Sequence, residues 1–395
     1  MKSRCRGATI LALLWPIAAS VLLGACQRGP TAERGNPVPP AAETPVPPRP
    51  PQEPAAGPAR PRYAESRVVV GIQWLPQAQE PDGHWSCRSW AGAADYDTGV
   101  TSLALAAMDA AGYTPGRGRV GAAMAKGIAW LTARQAPDGT FAHHTFDEHT
   151  IATFVVTELA YRHKDPALRS AAQKALDTIC RLQPPHGGFG PQGAAPKEDG
   201  DMWTTAWAIL ALQGAAEKES GLRVPEAALL RARAFLAATY RGEGRSADRP
   251  GAKEPSAAAT AMGTALRMWF WDERYGDEIQ AGVAAILDYA ESFSVPGREP
   301  PRPLADLRFA YFTALVMAHH RENWETWLSL GRWPLQSAQV LAQTGADGRP
   351  VRGSWDPADF AWGREGGRVY TTAMAVMILA TIPNHLAIYK QEGEP

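Results

Sequence analysis

One short segment recurs along the chain and sets the strongest limit on how the chain can fold. Residues 71–85 read GIQWLPQAQEPDGHW, residues 127–141 read GIAWLTARQAPDGTF, and residues 175–189 read ALDTICRLQPPHGGF. A looser copy runs from residue 335 to residue 355. Each copy is the end of an amphipathic helix followed by Gln, a Pro/Asp/Gly turn and a Gly-x-aromatic triplet. Such recurrence predicts a series of similar supersecondary units rather than two or three unrelated domains.

A second helical pattern, rich in Thr and Ala, follows each copy. It is apolar on nearly every side, which predicts helices that are buried all round. The clearest examples are residues 98–107, 150–160, 204–212 and 370–379. The helices that precede the turns, such as residues 167–183 and 225–240, carry charge on one face, so we expect them to lie outside the apolar ones.

Glycines in the turns define the length of the repeat. We place them at Gly83, Gly139, Gly188, Gly244, Gly297 and Gly353, with a mean spacing of 54 residues. A hairpin of two helices and two loops needs about this length, so six hairpins occupy the region. An inner ring of apolar helices within an outer ring buries them best, and neither end has a polar capping repeat. The sequence therefore predicts an all-α fold, a single closed (α/α)6 toroid with QW-like repeats, rather than an open solenoid.

The first 62 residues precede these repeats. Residues 1–25 have a basic start and an apolar run that ends in Leu-Gly-Ala before Cys26, a pattern typical of a bacterial lipoprotein signal peptide. We predict that Cys26 is lipidated and anchors the protein to a membrane; an uncleaved signal anchor is the alternative. Residues 26–62, with 12 prolines from position 30 onward, indicate a disordered, extended spacer before a domain at 63–395.

Charge and cysteine content limit the partners and the compartment. The 40 basic and 40 acidic residues balance, which argues against nucleic-acid binding. The signal and spacer are basic, so residues 63–395 carry a net charge of −5. Gln27 provides no inner-membrane retention signal, so we prefer the outer membrane within the cell envelope. Cys87 and Cys180 either form a disulfide or remain two thiols.

The Gln…Gly-x-Trp segments resemble the repeats of squalene–hopene cyclases, oxidosqualene cyclases and protein prenyltransferase β-subunits. The similarity covers nearly all of residues 66–385 and is clearest in repeats one, two, three and six. Residues 92–97 and 367–373 are similar to segments of single-toroid, exported bacterial proteins with these prenyltransferase/squalene-oxidase repeats. The resemblance implies the toroid fold, whereas one fold supports many activities.

Protonating terpene cyclases carry an Asp-x-Asp-Asp-Thr-Ala motif, in which a carboxylic acid protonates an alkene. The chain offers two partial matches, and the four acids Asp95, Asp97, Asp199 and Asp201 are its candidate catalytic residues. Both matches lack the adjacent pair of acids, and such cyclases are about twice as long as this chain. The resemblance therefore implies a toroid without standard cyclase chemistry.

In toroids of this kind the pocket lies where the N-termini of the inner helices converge. The free N–H groups and the helix dipoles at these termini suit an anionic ligand. The residues expected to line this cavity are His149, Trp203, Trp207, Arg308, Tyr311 and Tyr370, beside Asp147, Glu148 and Arg368. For each acid, helix capping is the alternative role. His143, His144 and His149 cluster with Asp147 but lack metal-ligand spacing, so neither a metal nor a cofactor is predicted.

Three functions fit these features. The one we favour is a lipid-anchored toroid that binds an apolar small molecule, a glycan or an envelope protein without catalysis. The second is an enzyme acting on an isoprenoid or on a glycan, with Asp95 and Asp201 as the acid pair for a glycan. The third is a structural scaffold with a filled central channel and an apolar patch outside.

Overall fold

Apolar and amphipathic helices alternate along the chain in the computed structural model, as the repeats predict. The structure describes residues 66–93, 95–141, 144–193, 200–270, 276–292 and 306–381, all within one unit, Ala56–Pro395. Cys26, the proline-rich spacer, His143, Asp199 and Gly297 lie outside the described residues. No helix of the described part is long and apolar enough to cross a bilayer.

Six apolar helices form the inner ring. Numbered along the chain, they are α2 (Asp97–Ala110), α4 (Phe146–His163), α6 (Met202–Ala216), α8 (Ala257–Phe270), α10 (Leu307–His319) and α13 (Gly363–Ala380). Each packs against the next one in the series, and α13 packs against α2. The ring is therefore closed, and the predicted all-α toroid of six hairpins is confirmed.

Six amphipathic segments surround this ring. They are α1 (Ser66–Ala78), α3 (Gly118–Ala133), α5 (Pro166–Leu182), α7 (Glu226–Thr239), α9 (Asp277–Ser292) and a broken sixth segment of α11 (Trp324–Trp327), a π-helical turn (Leu328–Arg332) and α12 (Trp333–Ser337). Short 3₁₀ helices lie at Arg88–Trp90, Lys218–Ser220, Arg321–Asn323 and Pro357–Asp359. The described residues form isolated β-bridges in the turns but no strand.

Helix α5 illustrates why the outer helices form where they do. Asp165 caps its first turn, accepting hydrogen bonds from the backbone N–H groups of Ala167 and Leu168, and Pro166 occupies the first helical position. Its buried residues, Leu168, Ala172, Ala175, Leu176 and Ile179, recur every three or four positions. One face therefore packs on the inner ring, and the other remains in contact with solvent.

The glutamine of each repeat joins neighbouring hairpins. In four repeats its side-chain amide donates one hydrogen bond to the carbonyl of the turn glycine and another to a backbone carbonyl of the next hairpin in the ring. These residues are Gln79, Gln135, Gln183 and Gln339. For Gln339, the second acceptor is Arg67 in α1, so the last repeat is bonded to the first across the closure of the ring.

The threonines of the inner helices bond to the same turns. The hydroxyls of Thr101, Thr205, Thr260 and Thr372 each accept a hydrogen bond from the backbone N–H that ends the Gly-x-aromatic triplet or its equivalent. In the second repeat His149 takes this position, and its Nδ1 accepts from the N–H of Phe141 at 3.2 Å. The Thr-rich pattern is thus explained by turn anchoring, and His149 has the same anchoring role.

The third turn glycine is Gly187, and its placement at Gly188 was wrong by one residue. Gly187 has a φ of 83°, and its carbonyl accepts the hydrogen bond from Gln183. Its left-handed backbone matches that of Gly83, Gly139, Gly244 and Gly353, the turn glycines of the other described repeats. The two glycines are adjacent in sequence, and it is Gly187 that adopts the left-handed backbone conformation of the turn.

The structure shows no disulfide between Cys87 and Cys180. Cys87 is fully buried, and its Sγ lies 2.9 Å from the carbonyl oxygen of Glu365 in α13. Burial raises the pKa of the Cys180 thiol to about 11, so this thiol stays protonated at neutral pH. Of the two alternatives left open by the sequence, the structure has the one without a disulfide.

Candidate functional site

The first turns of the inner helices meet at one end of the ring. We call the group formed there by Tyr96, Asp147, Trp203, Arg308 and Trp362 the mouth cluster. These residues precede or begin α2, α4, α6, α10 and α13, respectively. Hydrogen bonds and ring contacts join them, so they form one connected group at this end of the ring.

Asp147 is the carboxylate at the centre of the mouth cluster. It is 9% exposed, and its Oδ2 accepts hydrogen bonds from the Tyr96 hydroxyl and from the Trp203 Nε1, the latter at 3.2 Å. Burial and the negative charge of Asp147 hold the pKa of Tyr96 well above its usual range. Tyr96 therefore remains a proton donor, and the two neutral donors orient the Asp147 carboxylate.

Glu148, the next residue, has a structural role. Its carboxylate accepts hydrogen bonds from the backbone N–H groups of His144 and Thr145 at the start of α4 and from that of Gly99 in α2. Burial raises the pKa of Glu148, although these three hydrogen bonds oppose the shift. Helix capping, which the sequence offered as the alternative role for each acid, thus describes Glu148.

Arg308 contributes a neutralised cation and a stacking surface. Its Nε and Nη2 donate to the two carboxylate oxygens of Asp306 at 3.1 and 2.9 Å. Burial lowers the pKa of Arg308, but the bonds to Asp306 more than offset this and raise it overall. The guanidinium carbon lies 4.4 Å from the ring centroid of Trp362, which is 50% exposed, and 5.7 Å from that of Trp203.

Asp201 lies beside the mouth cluster at the start of α6. It caps the helix, with Oδ1 accepting from the Thr204 N–H at 2.8 Å and Oδ2 from the Thr204 hydroxyl at 2.9 Å. Burial, together with the charge of Asp147, raises the pKa of Asp201 above that of an ordinary aspartate. Asp201 therefore holds its proton more tightly than an ordinary aspartate does, mainly because it is buried.

Aromatic rings fill the interior behind the mouth cluster. The Trp207 and Tyr311 rings stack with centroids 5.9 Å apart and planes 14° from parallel, and both are fully buried. They come from α6 and α10, which are separated in the ring by α8, so their contact crosses the interior. Trp207 Nε1, Tyr311 Oη and Tyr370 Oη have no hydrogen-bond partner among the described residues, and burial raises the pKa of both tyrosines.

The candidate acids of the first Asp-x-Asp pair face away from Asp147. Asp95 is exposed and bonds to Arg88, which lowers its pKa. Asp97 accepts a hydrogen bond from the Cys87 backbone N–H at 2.7 Å through Oδ1, and its Oδ2 faces the His84 ring at 3.5 Å. Of the second pair, Asp199 lies outside the described residues and only Asp201 is near the mouth cluster. Within the described part of the chain, no group of three or more acids, histidines and cysteines could hold a metal ion.

The sequence alone does not single out three members of the mouth cluster, Tyr96, Asp147 and Trp362, as central to the site. Asp147 was recognised as an acid near a helix start but was not ranked above Asp95 or Asp97. The only sequence signal for Tyr96 was its position between those two acids. Trp362 immediately precedes α13, and no periodic pattern in the sequence relates its side chain to the other members of the cluster.

Comparisons with known proteins identify the fold and no family. No protein-family model matches the chain, and no curated protein matches it. Among solved structures it is similar to the cellobiose 2-epimerase of Spirochaeta thermophila DSM 6192, with a TM-score of 0.55, 12% identity, and coverage of 79% of this chain and 93% of that one. The GH76A α-1,6-mannanase of Salegentibacter sp. HEL1_6 has a TM-score of 0.53 and 10% identity, with coverage of 80% of this chain and 97% of that one. The type II terpene cyclase MstE of Scytonema has a TM-score of 0.51 and 14% identity, with coverage of 80% of this chain and 97% of that one. All are α/α toroids, and identities this low extend to the fold alone.

The raised pKa of Asp201 leads to a prediction about pH. The folded protein binds the Asp201 proton more tightly than the unfolded chain does, so the group costs stability as pH rises from about 3.9 to its raised pKa. Asp201→Asn keeps a capping oxygen for Thr204 and removes this cost. We expect its free energy of unfolding to match wild type near pH 3.9 and to exceed it by on the order of 1 kcal/mol in neutral solution.

Urea unfolding at several pH values measures this difference. Asp95→Asn is a control of opposite sign, because Arg88 lowers the pKa of Asp95 and its stabilising effect is therefore lost as pH falls. A wild-type advantage over Asp201→Asn that grows with pH would contradict the assignment.

Proposed function

We propose that the mouth cluster binds a carbohydrate, with Asp147 as the central acceptor for its hydroxyl groups. The observation that carries this proposal is the Asp147 carboxylate held by Tyr96 and Trp203, with Arg308 lying between the ring of Trp203 and the half-exposed ring of Trp362. Sugars present hydroxyl groups that bond to carboxylates and C–H faces that stack on aromatic rings. A buried carboxylate beside indole faces suits both features of one ligand.

The interior of the ring favours a sugar over an isoprenoid. A long apolar chain needs a deep apolar cavity, whereas Trp207 and Tyr311 stack on each other across the interior behind the mouth cluster. The mouth cluster is polar, and the half-exposed Trp362 shows that solvent reaches it, which suits a hydrophilic ligand. Two of the similar solved structures, the mannanase and the cellobiose epimerase, carry the names of carbohydrate-active enzymes. Their names support the proposal only as an analogy of fold.

Turnover of the bound glycan is a second candidate function. The observation in its favour is the raised pKa of the buried Asp201 carboxyl, to which the charge of Asp147 contributes, because glycosidases use a pair of carboxyl groups of which the acid has a raised pKa. The sequence interpretation paired Asp201 with Asp95, which is exposed and bonded to Arg88. We propose Asp147 in place of Asp95 as the second member of the pair.

The expected test is a binding titration with soluble oligosaccharides, cellobiose and α-1,6-mannotriose among them, followed through tryptophan fluorescence. We expect wild type to bind at least one of them and Asp147→Asn to bind it at least tenfold more weakly, because a hydrogen bond to a charged acceptor contributes about 1.5–3 kcal/mol. Asp95→Asn, the same change at an exposed acid, should bind like wild type. Product formation that disappears in Asp147→Asn would establish the second candidate.

Two results would contradict the proposal. One is binding by Asp147→Asn that equals wild type. The other is the absence of oligosaccharide binding together with binding of a prenyl compound such as farnesol, which would favour the isoprenoid alternative.

We also propose that this toroid, residues 63–395, works at the bacterial cell envelope. Its support is the signal-like segment 1–25 before Cys26 and the proline-rich spacer 26–62, which would hold the ring away from an outer membrane. The ligand would then be an envelope glycan, or a protein that carries one. Cys26→Ser should move the protein from the membrane fraction to the soluble fraction, and retention in the membrane fraction would contradict the anchor.

A further inference from the structure

A groove of about 450 Å³ lies on the outer face of the ring and shares no lining residue with the mouth cluster. It runs between α5 and the segment that leads into α7. Its lining residues are Pro166, Arg169, Ser170, Gln173, Lys174, Gly221, Leu222 and Arg223. The mouth cluster uses none of these side chains, and neither do the hydrogen bonds that the repeat glutamines make to the turns.

The charge of this outer groove is opposite to that of the domain. Its charged lining residues, Arg169, Lys174 and Arg223, are all basic. None of the three forms an ion pair with another described residue. Residues 63–395 carry a net charge of −5, so three unpaired cations on one groove are a local feature. Their mutual repulsion is relieved when an anion binds between them.

Hydrogen bonds hold the two walls of the outer groove together. The Gln173 side chain accepts from the Arg223 N–H at 2.8 Å and donates to the Arg223 carbonyl at 3.0 Å. It also donates to Asp177 at 2.9 Å, outside the lining. Gly221 has a φ of 66°, a left-handed conformation that turns the chain into the groove. The backbone at Arg223 is therefore fixed against α5, the helix that carries Arg169 and Lys174, before any ligand arrives.

We propose that the outer groove binds a phosphate-bearing ligand. Guanidinium groups bond to phosphate oxygens in pairs, and Lys174 and the Ser170 hydroxyl supply further donors. The lining offers no carboxylate to repel the phosphate. The phosphate belongs either to a soluble compound or to the headgroup of an anionic lipid. This site is independent of the carbohydrate proposal.

The test uses the full chain carrying Cys26→Ser in every sample, so that no acyl chain mediates membrane binding. In one arm tripolyphosphate is titrated by calorimetry at low salt and at 0.5 M salt. In the other arm the protein is sedimented with phosphatidylcholine vesicles that contain or lack phosphatidylglycerol. The double variant Arg169→Gln/Arg223→Gln is compared with Arg119→Gln/Arg352→Gln, which removes the same charge at two exposed positions outside the lining.

We expect the unmodified groove to bind in at least one arm, and the double variant of the groove to bind at least tenfold more weakly, with an unchanged melting temperature. The control double variant should stay within about twofold of the parent, because distant exposed charges act only through a screened field. Binding to tripolyphosphate alone identifies a soluble phosphate, and binding to phosphatidylglycerol vesicles alone identifies a lipid headgroup. Absence of binding in both arms, or equal weakening by the control, would overturn the proposal.

Discussion

Gly187→Ala is expected to destabilise the toroid by about 2–5 kcal/mol. Two effects add at this position. The φ of 83° is left-handed, which costs an alanine about 1–2 kcal/mol. A β-carbon would also overlap the backbone carbonyl of Arg231 in α7, and backbone cannot move aside as a side chain can. Relief of this overlap would separate the third turn from the next outer helix, at a further cost of about 1–3 kcal/mol.

Gly348→Ala is the matched control for that prediction. Gly348 has nearly the same backbone, with a φ of 77°, but a β-carbon there meets no atom within 4 Å. It should cost only the conformational part, about 1–2 kcal/mol. Denaturant unfolding of both variants measures the difference. Equal losses of stability would show that the close approach of the turn to α7 contributes nothing.

Asp109→Asn is expected to lower the free energy of unfolding by about 3 kcal/mol. Asp109, at the end of α2, is 1% exposed, and its two carboxylate oxygens lie 2.8 Å from the Arg162 Nε and the His163 Nε2 at the end of α4. The substitution replaces the carboxylate that faces Arg162 and His163 with an uncharged amide. The Arg162 guanidinium is largely buried, so losing the charge of this carboxylate removes attraction that compensates for its desolvation, and this loss is the larger part of the cost.

Asp288→Asn provides the comparison on the surface. Asp288 is 68% exposed and pairs with Arg245 at 2.7 Å, a shorter distance than either contact of Asp109. Its replacement should cost less than about 1 kcal/mol, because water screens the pair. Thermal or urea unfolding of the two variants decides whether burial or distance governs the strength of these ion pairs. If Asp288→Asn is as harmful as Asp109→Asn, the buried pair does not hold α2 to α4.

Repetition made the fold predictable from the sequence. Each copy contains the glutamine and the turn glycine, and an inner-helix threonine, or His149 in the second repeat, bonds to the same turn. A local pattern therefore contains most of the contacts that define one hairpin. The third copy shows the limit of such a pattern. It has two adjacent glycines, and the hydrogen bond from Gln183 determines that Gly187 rather than Gly188 takes the left-handed position.

The site was predictable only as a region. The acids near the helix starts were evident, but their directions were not, because a residue in a loop has no periodicity that relates it to a face. Asp97 turns toward the Cys87 N–H, and Asp95 bonds to Arg88. Asp147 meets Tyr96 and Trp203 because α2, α4 and α6 pack side by side in the inner ring. These partners are more than fifty residues from Asp147.

The sequence by itself determined an all-α toroid of six hairpins, with apolar helices inside amphipathic ones. Helical periodicity and turn chemistry act over a few residues, and each repeat states them again. The tertiary structure decided which acid is central, which cations remain unpaired in the outer groove, and that aromatic rings from α6 and α10 meet across the interior. Those features depend on distances between residues far apart in the chain, and such distances exist only once the ring has closed.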